Sequence, residues 1–296
     1  MPKFTAIRED ETFVDAYNVT IHYHVWRVAR PVGVVQIAHG LGEYAGRYEY
    51  LAQELVNAGY IVYADDHRGH GLTGVEQHDG DLSKLGQLGA GGLRATAAAI
   101  HQLSTIIRSE YPQVPLTILG HSWGSLMVQT LLNTYSADYD AAVLTGTAHR
   151  IPGRMRAGSL NVKHAHLGET GHEWLSRDPA VAQAFVDDPL TFTADVVKLF
   201  GLVEGMRLFG IPARNLEHDL PLHIMIGGDD SLGGEASVRS LAQAYLTRSR
   251  LSDVTVTVYE GARHEIFNET NRDDIIADLI AWLDDRLPIA EERPRP

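Results

Sequence analysis

The chain has no cysteine among its 296 residues, which excludes disulfides and thiolate metal sites. It is also short of positive charge, with 25 Lys and Arg against 38 Asp and Glu and a formal net charge of −13. Nucleic-acid binding needs a concentration of cationic side chains, and so does electrostatic docking on anionic lipid, so both are disfavoured. The plain consequence of the charge is solubility. No window is long and apolar enough to span a membrane, and Met1-Pro2-Lys3-Phe4 lacks the apolar stretch of a signal peptide. A cytoplasmic protein is the default expectation. Apolar residues make up 44% of the chain, enough for a large core, and the length suits one α/β unit carrying an insertion.

What is present is a rhythm of buried strands and amphipathic helices. His22, His24 and Trp26 alternate with Ile21, Tyr23 and Val25, which predicts an early antiparallel strand. Apolar runs at 34–38, 61–64, 116–119, 142–144, 222–226 and 254–259 have the length of buried parallel strands. Helical patterns lie at 48–57, 93–109, 123–135, 235–247 and 273–287. This order predicts a mainly parallel central sheet with helices on both faces. The rhythm stops between about His149 and Asp219, where helix-like pieces at 180–186 and 195–209 stand without a strand. That is far more chain than a strand–helix connection needs, so 149–219 is expected to be a mostly helical cap over the ligand-binding ends of the strands. The core is then 1–148 and 220–287, with a proline-rich, charged tail at 288–296.

Gly120-His121-Ser122-Trp123-Gly124 sits between a strand and a helix pattern. Serine between two glycines at such a corner is the nucleophile elbow of a serine hydrolase, the turn being too tight for side chains at either flank. A serine hydroxyl needs a base, and the base an orienting carboxylate, in the chain order serine, acid, histidine. Of fifteen histidines, His264 lies just past the last strand and before the last helix. Gly227-Gly228-Asp229-Asp230 follows the preceding strand, and either aspartate suits the acid. Two backbone N–H groups must stabilise the oxyanion; Trp123, next to the nucleophile, and Leu41, in the His39-Gly40-Leu41-Gly42-Glu43 loop, are the expected donors. Alcohol, imidazole and backbone donors suffice for acyl transfer, so no cofactor is implied.

The stretches His39-Gly40-Leu41-Gly42-Glu43 with Gly46-Arg47-Tyr48, Asp66-His67-Arg68-Gly69-His70-Gly71, Gly120 to Gly124, Trp174-Leu175-Ser176-Arg177-Asp178-Pro179 with Asp188-Pro189-Leu190, and 261–269 carry a resemblance. Together they resemble the monoacylglycerol lipase and lysophospholipase branch of the α/β-hydrolases, the serine aminopeptidase-like hydrolases. The resemblance implies an α/β-hydrolase fold and places nucleophile, acid and base on Ser122, Asp230 and His264. Trp123 stands where methionine is usual and Gly92 where a larger residue is common, so the indole is expected to fill the space beside Gly92.

Bland readings cover other features. His67 and His70, like His164 and His166, lack a metal-ligand pattern; the first two are expected to shape a loop, the second two to lie in a solvated cap loop, and His121 to pack near the elbow. Arg150, Arg154, Arg156 and Lys163 are expected in a solvated loop, with phosphate or headgroup contact as the alternative. The apolar residues of 196–209, among them Phe200, Val203 and Met206, exceed one helical face and suit an acyl pocket or a patch for transient membrane or micelle contact. The expected substrate is a monoacylglycerol or similar single-chain lipid ester. A proline-releasing aminopeptidase, with Glu43, Glu169 or Glu204 holding a free amine, is the alternative, and a catalytically silent binding protein a third.

Overall fold

The computed structural model describes residues 6–156 and 158–287. The predicted tail 288–296 and the first residues, Met1 to Phe4 among them, lie outside the described residues. Eight strands, β1 Arg8–Val14, β2 Thr20–Trp26, β3 Gly33–Ala38, β4 Tyr60–Asp65, β5 Leu116–His121, β6 Ala141–Thr145, β7 Leu222–Gly227 and β8 Val254–Tyr259, form one sheet. Its order is β1-β2-β4-β3-β5-β6-β7-β8. The strands from β3 onward pair in parallel, while β2 is antiparallel to both β1 and β4. Every residue of β3, β4, β5, β6 and β7 is buried, as continuous apolar runs require.

Helices α1 Glu49–Asn57 and α8 Arg272–Arg286 cover one face, where Leu51, Leu55, Ile275 and Leu279 join one buried cluster. Helices α3 Gly92–Glu110, α4 Trp123–Tyr135 and α7 Gly234–Ala244 cover the other through Ile100, Leu103, Leu126, Val128 and Leu241. Each such aliphatic side chain contributes roughly 1.5–3 kcal/mol by leaving water.

Two elements lie outside the predicted pattern. Strand β1, Arg-Glu-Asp-Glu-Thr-Phe-Val, is an exposed sheet edge whose charged residues give no apolar signal. Helix α2 Gly71–Gln77 contains two glycines that read as loop, but the Asp66 carboxylate fixes its start by accepting from Leu72 N–H at 2.7 Å and from Ala45 N–H at 2.9 Å.

Between β6 and β7 no strand occurs among the described residues. Helix α5 Pro179–Asp187 starts where the sequence suggests, with Asp178 accepting from Ala180 N–H at 2.9 Å and Pro179 in the first turn. The helix predicted over 195–209 is shorter and interrupted. Asp195 caps α6 Val196–Gly205, Gly201 breaks it at φ 73° and ψ 169°, and a 3-10 turn, Met206–Leu208, follows. No helix among the described residues is long and apolar enough to cross a membrane.

Candidate active site

The parallel strands deliver their carboxyl ends to one edge, and Ser122 stands at the end of β5. Its backbone lies at φ 51° and ψ −122°, a conformation that a non-glycine residue holds only under constraint. The constraint is visible: Ser122 N–H donates to the Thr145 carbonyl at 2.9 Å, and α4 begins at the next residue. The flanking glycines are sterically required. A Cβ at position 120 would lie 2.7 Å from Ser125 Cα, and one at 124 would strike the Ala38 and His39 carbonyl oxygens.

His264, on the loop after β8, and Asp230, on the loop after β7, are both buried, and His264 Nδ1–H donates to Asp230 Oδ2 at 2.9 Å. Asp230 Oδ1 accepts from Leu232 N–H at 2.7 Å, so the carboxylate cannot rotate away freely. Asp229 turns outward to Lys163 Nζ at 2.7 Å. With Nδ1 carrying the proton, His264 Nε2 is the basic lone pair, and it is buried without a hydrogen-bond partner. Burial disfavours the imidazolium, but the Asp230 charge and hydrogen bond, joined by Glu265 and Glu43, outweigh it and hold the His264 pKa above the ordinary imidazole value. His121, whose ring lies 4.8 Å from that of His264, is pushed down to about 3 by burial and by His264, so it stays neutral beside the site.

The Leu41 and Trp123 amides, on the loop after β3 and at the first residue of α4, donate to no partner among the described residues. Residues quoted in the sequence motifs, whose pairing the sequence did not reveal, hold the first of these loops. Glu43, buried, accepts from Gly40 N–H at 2.6 Å, from Tyr48 Oη–H at 2.8 Å and from Arg47 at 2.9 Å. Arg47 also makes a two-pronged pair with Glu265, at 2.6 and 2.8 Å, which ties the loop after β3 to the histidine loop. Burial opposes ionisation of Glu265, but Arg47 overcomes it and depresses its pKa to about 2. Glu43, Arg47, His121, Glu265 and Asn268 line a small cleft on this side. The members of this network stand in the Gly-Glu, Gly-Arg-Tyr and 261–269 motifs, but the pairing of Glu265 with Arg47, 218 residues apart, left no signal.

Trp174 was likewise unassigned. Its ring lies 4.6 Å from that of His264, and its carbonyl accepts from His264 N–H at 3.3 Å. Arg263 donates to the Glu173 and Ser176 carbonyls at 2.6 and 2.8 Å, so the 173–177 segment and the histidine loop are packed as one.

His39, His67 and His70 are buried and stacked around the elbow. His39 Nδ1–H donates to the Gly40 carbonyl at 2.7 Å while its Nε2 accepts from His67 N–H at 2.9 Å. Three expectations need correction. The space beside Gly92 is filled by Glu204, whose Oε2 lies 2.7 Å from where a Cβ would stand, and not by Trp123. Arg150 is not in a solvated loop: it is buried and donates to the Leu126 carbonyl at 2.7 Å, to Thr130 Oγ1 and to the Phe209 carbonyl at 3.3 Å, clamping α4. His164, expected in a solvated cap loop, is buried, with its Nε2 3.1 Å from the Asp229 carbonyl oxygen. Within 196–209, Phe200 stacks on Trp123, and Val203 and Met206 are exposed, at 76% and 58%.

Comparison with known proteins finds relatives along nearly the whole chain. A monoacylglycerol lipase of Mycolicibacterium smegmatis is 31% identical over 300 residues, covering 94% of this chain and 98% of that protein. A mouse monoglyceride lipase is 25% identical over 272 residues, covering 88% and 85%. The solved structure of a soluble variant of a Saccharomyces cerevisiae monoglyceride lipase with a substrate analogue superposes with a TM-score of 0.74 at 20% identity, covering 97% of this chain and 98% of that one, a likeness of fold. The family described as serine aminopeptidase, S33, matches residues 29–271. The chain therefore belongs to that family, as a serine hydrolase with the α/β-hydrolase fold and a monoacylglycerol-lipase-like sequence.

Proposed function

We propose that this enzyme hydrolyses monoacylglycerols or similar single-chain lipid esters through an acyl-enzyme, with Ser122 as nucleophile, His264 as base and Asp230 as its orienter. The observation that carries this reading is the buried His264 imidazole, fixed by Asp230 through Nδ1 and left with an unpartnered Nε2. In the first step Nε2 takes the Ser122 proton as Oγ attacks the ester carbonyl, and the Leu41 and Trp123 amides stabilise the oxyanion. The tetrahedral intermediate collapses as the imidazolium returns the proton to the leaving alcohol. Water, deprotonated by the same nitrogen, then releases the fatty acid. Residues 149–219 serve as the cap on a core of 1–148 and 220–287. Val197 and Leu202, 60% and 70% exposed, give that cap an apolar outer surface for contact with micelles or bilayers.

The aminopeptidase alternative loses its best anchors for a free amine. Glu43 is saturated by Gly40, Tyr48 and Arg47, and Glu204 is engaged by Leu93 N–H and Arg207. The test compares turnover of octanoyl glycerol with that of proline anilides. Glyceride cleavage that disappears in Ser122→Ala is expected; anilide cleavage without glyceride cleavage would overturn the reading.

A further inference from the structure

Resting on the ester-hydrolase reading, we propose that the Trp123 indole closes the acyl side of the site and makes the enzyme selective for medium-length over long acyl chains. An ester carbonyl held by the Leu41 and Trp123 amides sends its two substituents to different flanks. One flank faces the loop held by Glu43, Arg47 and Glu265, whose carboxylates are taken up by their own hydrogen bonds. The other is aromatic. The Trp123 indole is 2% exposed, with Phe200 stacked on it at 5.8 Å between ring centroids and His70 stacked at 5.2 Å. Phe192 packs against His70 in turn, at 5.2 Å.

This wall is rigid from both sides. His70 donates through Nδ1 to the Arg68 carbonyl at 2.9 Å and is fully buried. Phe200 belongs to α6, and that helix is tied to the core where Leu93 N–H, in the first turn of α3, donates to Glu204 Oε2 at 3.3 Å. The glycine at position 92 is what admits the Glu204 carboxylate so close. The indole N–H is buried with no acceptor, so the ring is held by shape alone. An unpaired buried donor is a cost that a methionine at this position would not carry. A thioether chain also yields to a ligand where a clamped indole does not. Each acyl methylene denied burial by that wall forfeits roughly four-fold in binding.

The experiment measures kcat/KM for octanoyl and hexadecanoyl glycerol, in mixed micelles of fixed composition, for the wild type, Trp123→Met and Phe200→Ala. The wild type is expected to favour octanoyl. Each variant is expected to move the hexadecanoyl-to-octanoyl ratio up by at least about ten-fold. A defect of folding or of the oxyanion donor lowers both esters together, so an unchanged ratio in both variants overturns the proposal. A wild type preferring hexadecanoyl glycerol overturns it too, while leaving the ester-hydrolase reading standing. A wild type inert toward both esters removes that reading, and the selectivity proposal with it.

Discussion

The loops at the carboxyl edge of the sheet and the 149–219 segment above them are built by different physics. In the loops, buried polar groups are held by hydrogen bonds: Asp230 accepts from His264, and Glu43 and Glu265 share Arg47. In the segment above, the helices are short, one is broken at Gly201, and Val197, Leu202, Val203 and Met206 face outward. The contrast separates tasks. Acyl transfer needs fixed donors and a fixed base, because a misplacement of about 1 Å can cost about 100-fold. The proposed contact with lipid needs an exposed apolar surface, and the outer side of α6 has one in Val197, Leu202 and Val203. The two parts are tied at a few points, notably Arg263 to the Glu173 and Ser176 carbonyls and Leu93 to Glu204.

Variants should break this contrast unequally. Ser122→Ala should give the largest effect, lowering kcat on any ester by at least about 10⁴ in a steady-state assay, with folding intact by circular dichroism. Asp230→Asn should follow, also near 10⁴ in kcat, because the imidazole loses its orienter and takes the wrong tautomer. The pH profile sharpens this second prediction. Protonated His264 cannot accept the serine proton, so kcat/KM should rise with pH through the His264 pKa, and its raised direction puts that limb above about 6.5. Removing the Asp230 charge should move whatever activity is left to a limb at lower pH. A profile flat down to pH ~4 would contradict the assignment of the base.

Arg47→Ala tests the scaffold beneath the chemistry. It strands two buried carboxylates and should cost about 3–5 kcal/mol of stability by denaturant titration. Glu265 gives the same network an acid signature. Its pKa is depressed to about 2, so the stability it contributes is complete above the unfolded carboxylate value of about 4.3 and is lost as pH falls toward 2. The smallest effect should be in the outer surface of α6. Val197→Ser with Leu202→Ser should change stability by no more than about 0.5 kcal/mol per site and leave turnover of a water-soluble ester intact. The same variant should lose several-fold on monoacylglycerol in micelles, with the loss in KM. Equal loss on both substrates would place these residues inside the pocket instead.

How much of this was legible in the sequence follows the same divide. The elbow was readable because Gly120 and Gly124 are demanded by local sterics, which leave a local signature. The chain order of Ser122, the aspartates and His264 was readable because parallel strands deliver successive loops to one edge. Choosing between Asp229 and Asp230 from the residues alone was not, since adjacent positions on one turn point to opposite sides, here to Lys163 and to His264. Pairings across long sequence distances, such as Arg47 with Glu265 or Gly92 with Glu204, leave no periodic trace. Strand β1 was hidden because an exposed edge needs no apolar face, and α2 because its start is fixed by Asp66 rather than by good helix formers. Arg150 was misread for a related reason: its neighbours in sequence are polar, while its partners, Leu126, Thr130 and Phe209, come from α4 and the far end of the 149–219 segment.

The central claim, that a constrained serine is made nucleophilic by one oriented imidazole, is tested most directly by fluorophosphonate labelling followed by peptide mass spectrometry. The account predicts a single adduct on Ser122, formed more slowly as pH falls and greatly slowed in His264→Ala. Folded protein that takes no label, or an adduct on another residue with Ser122 unmodified, would contradict it.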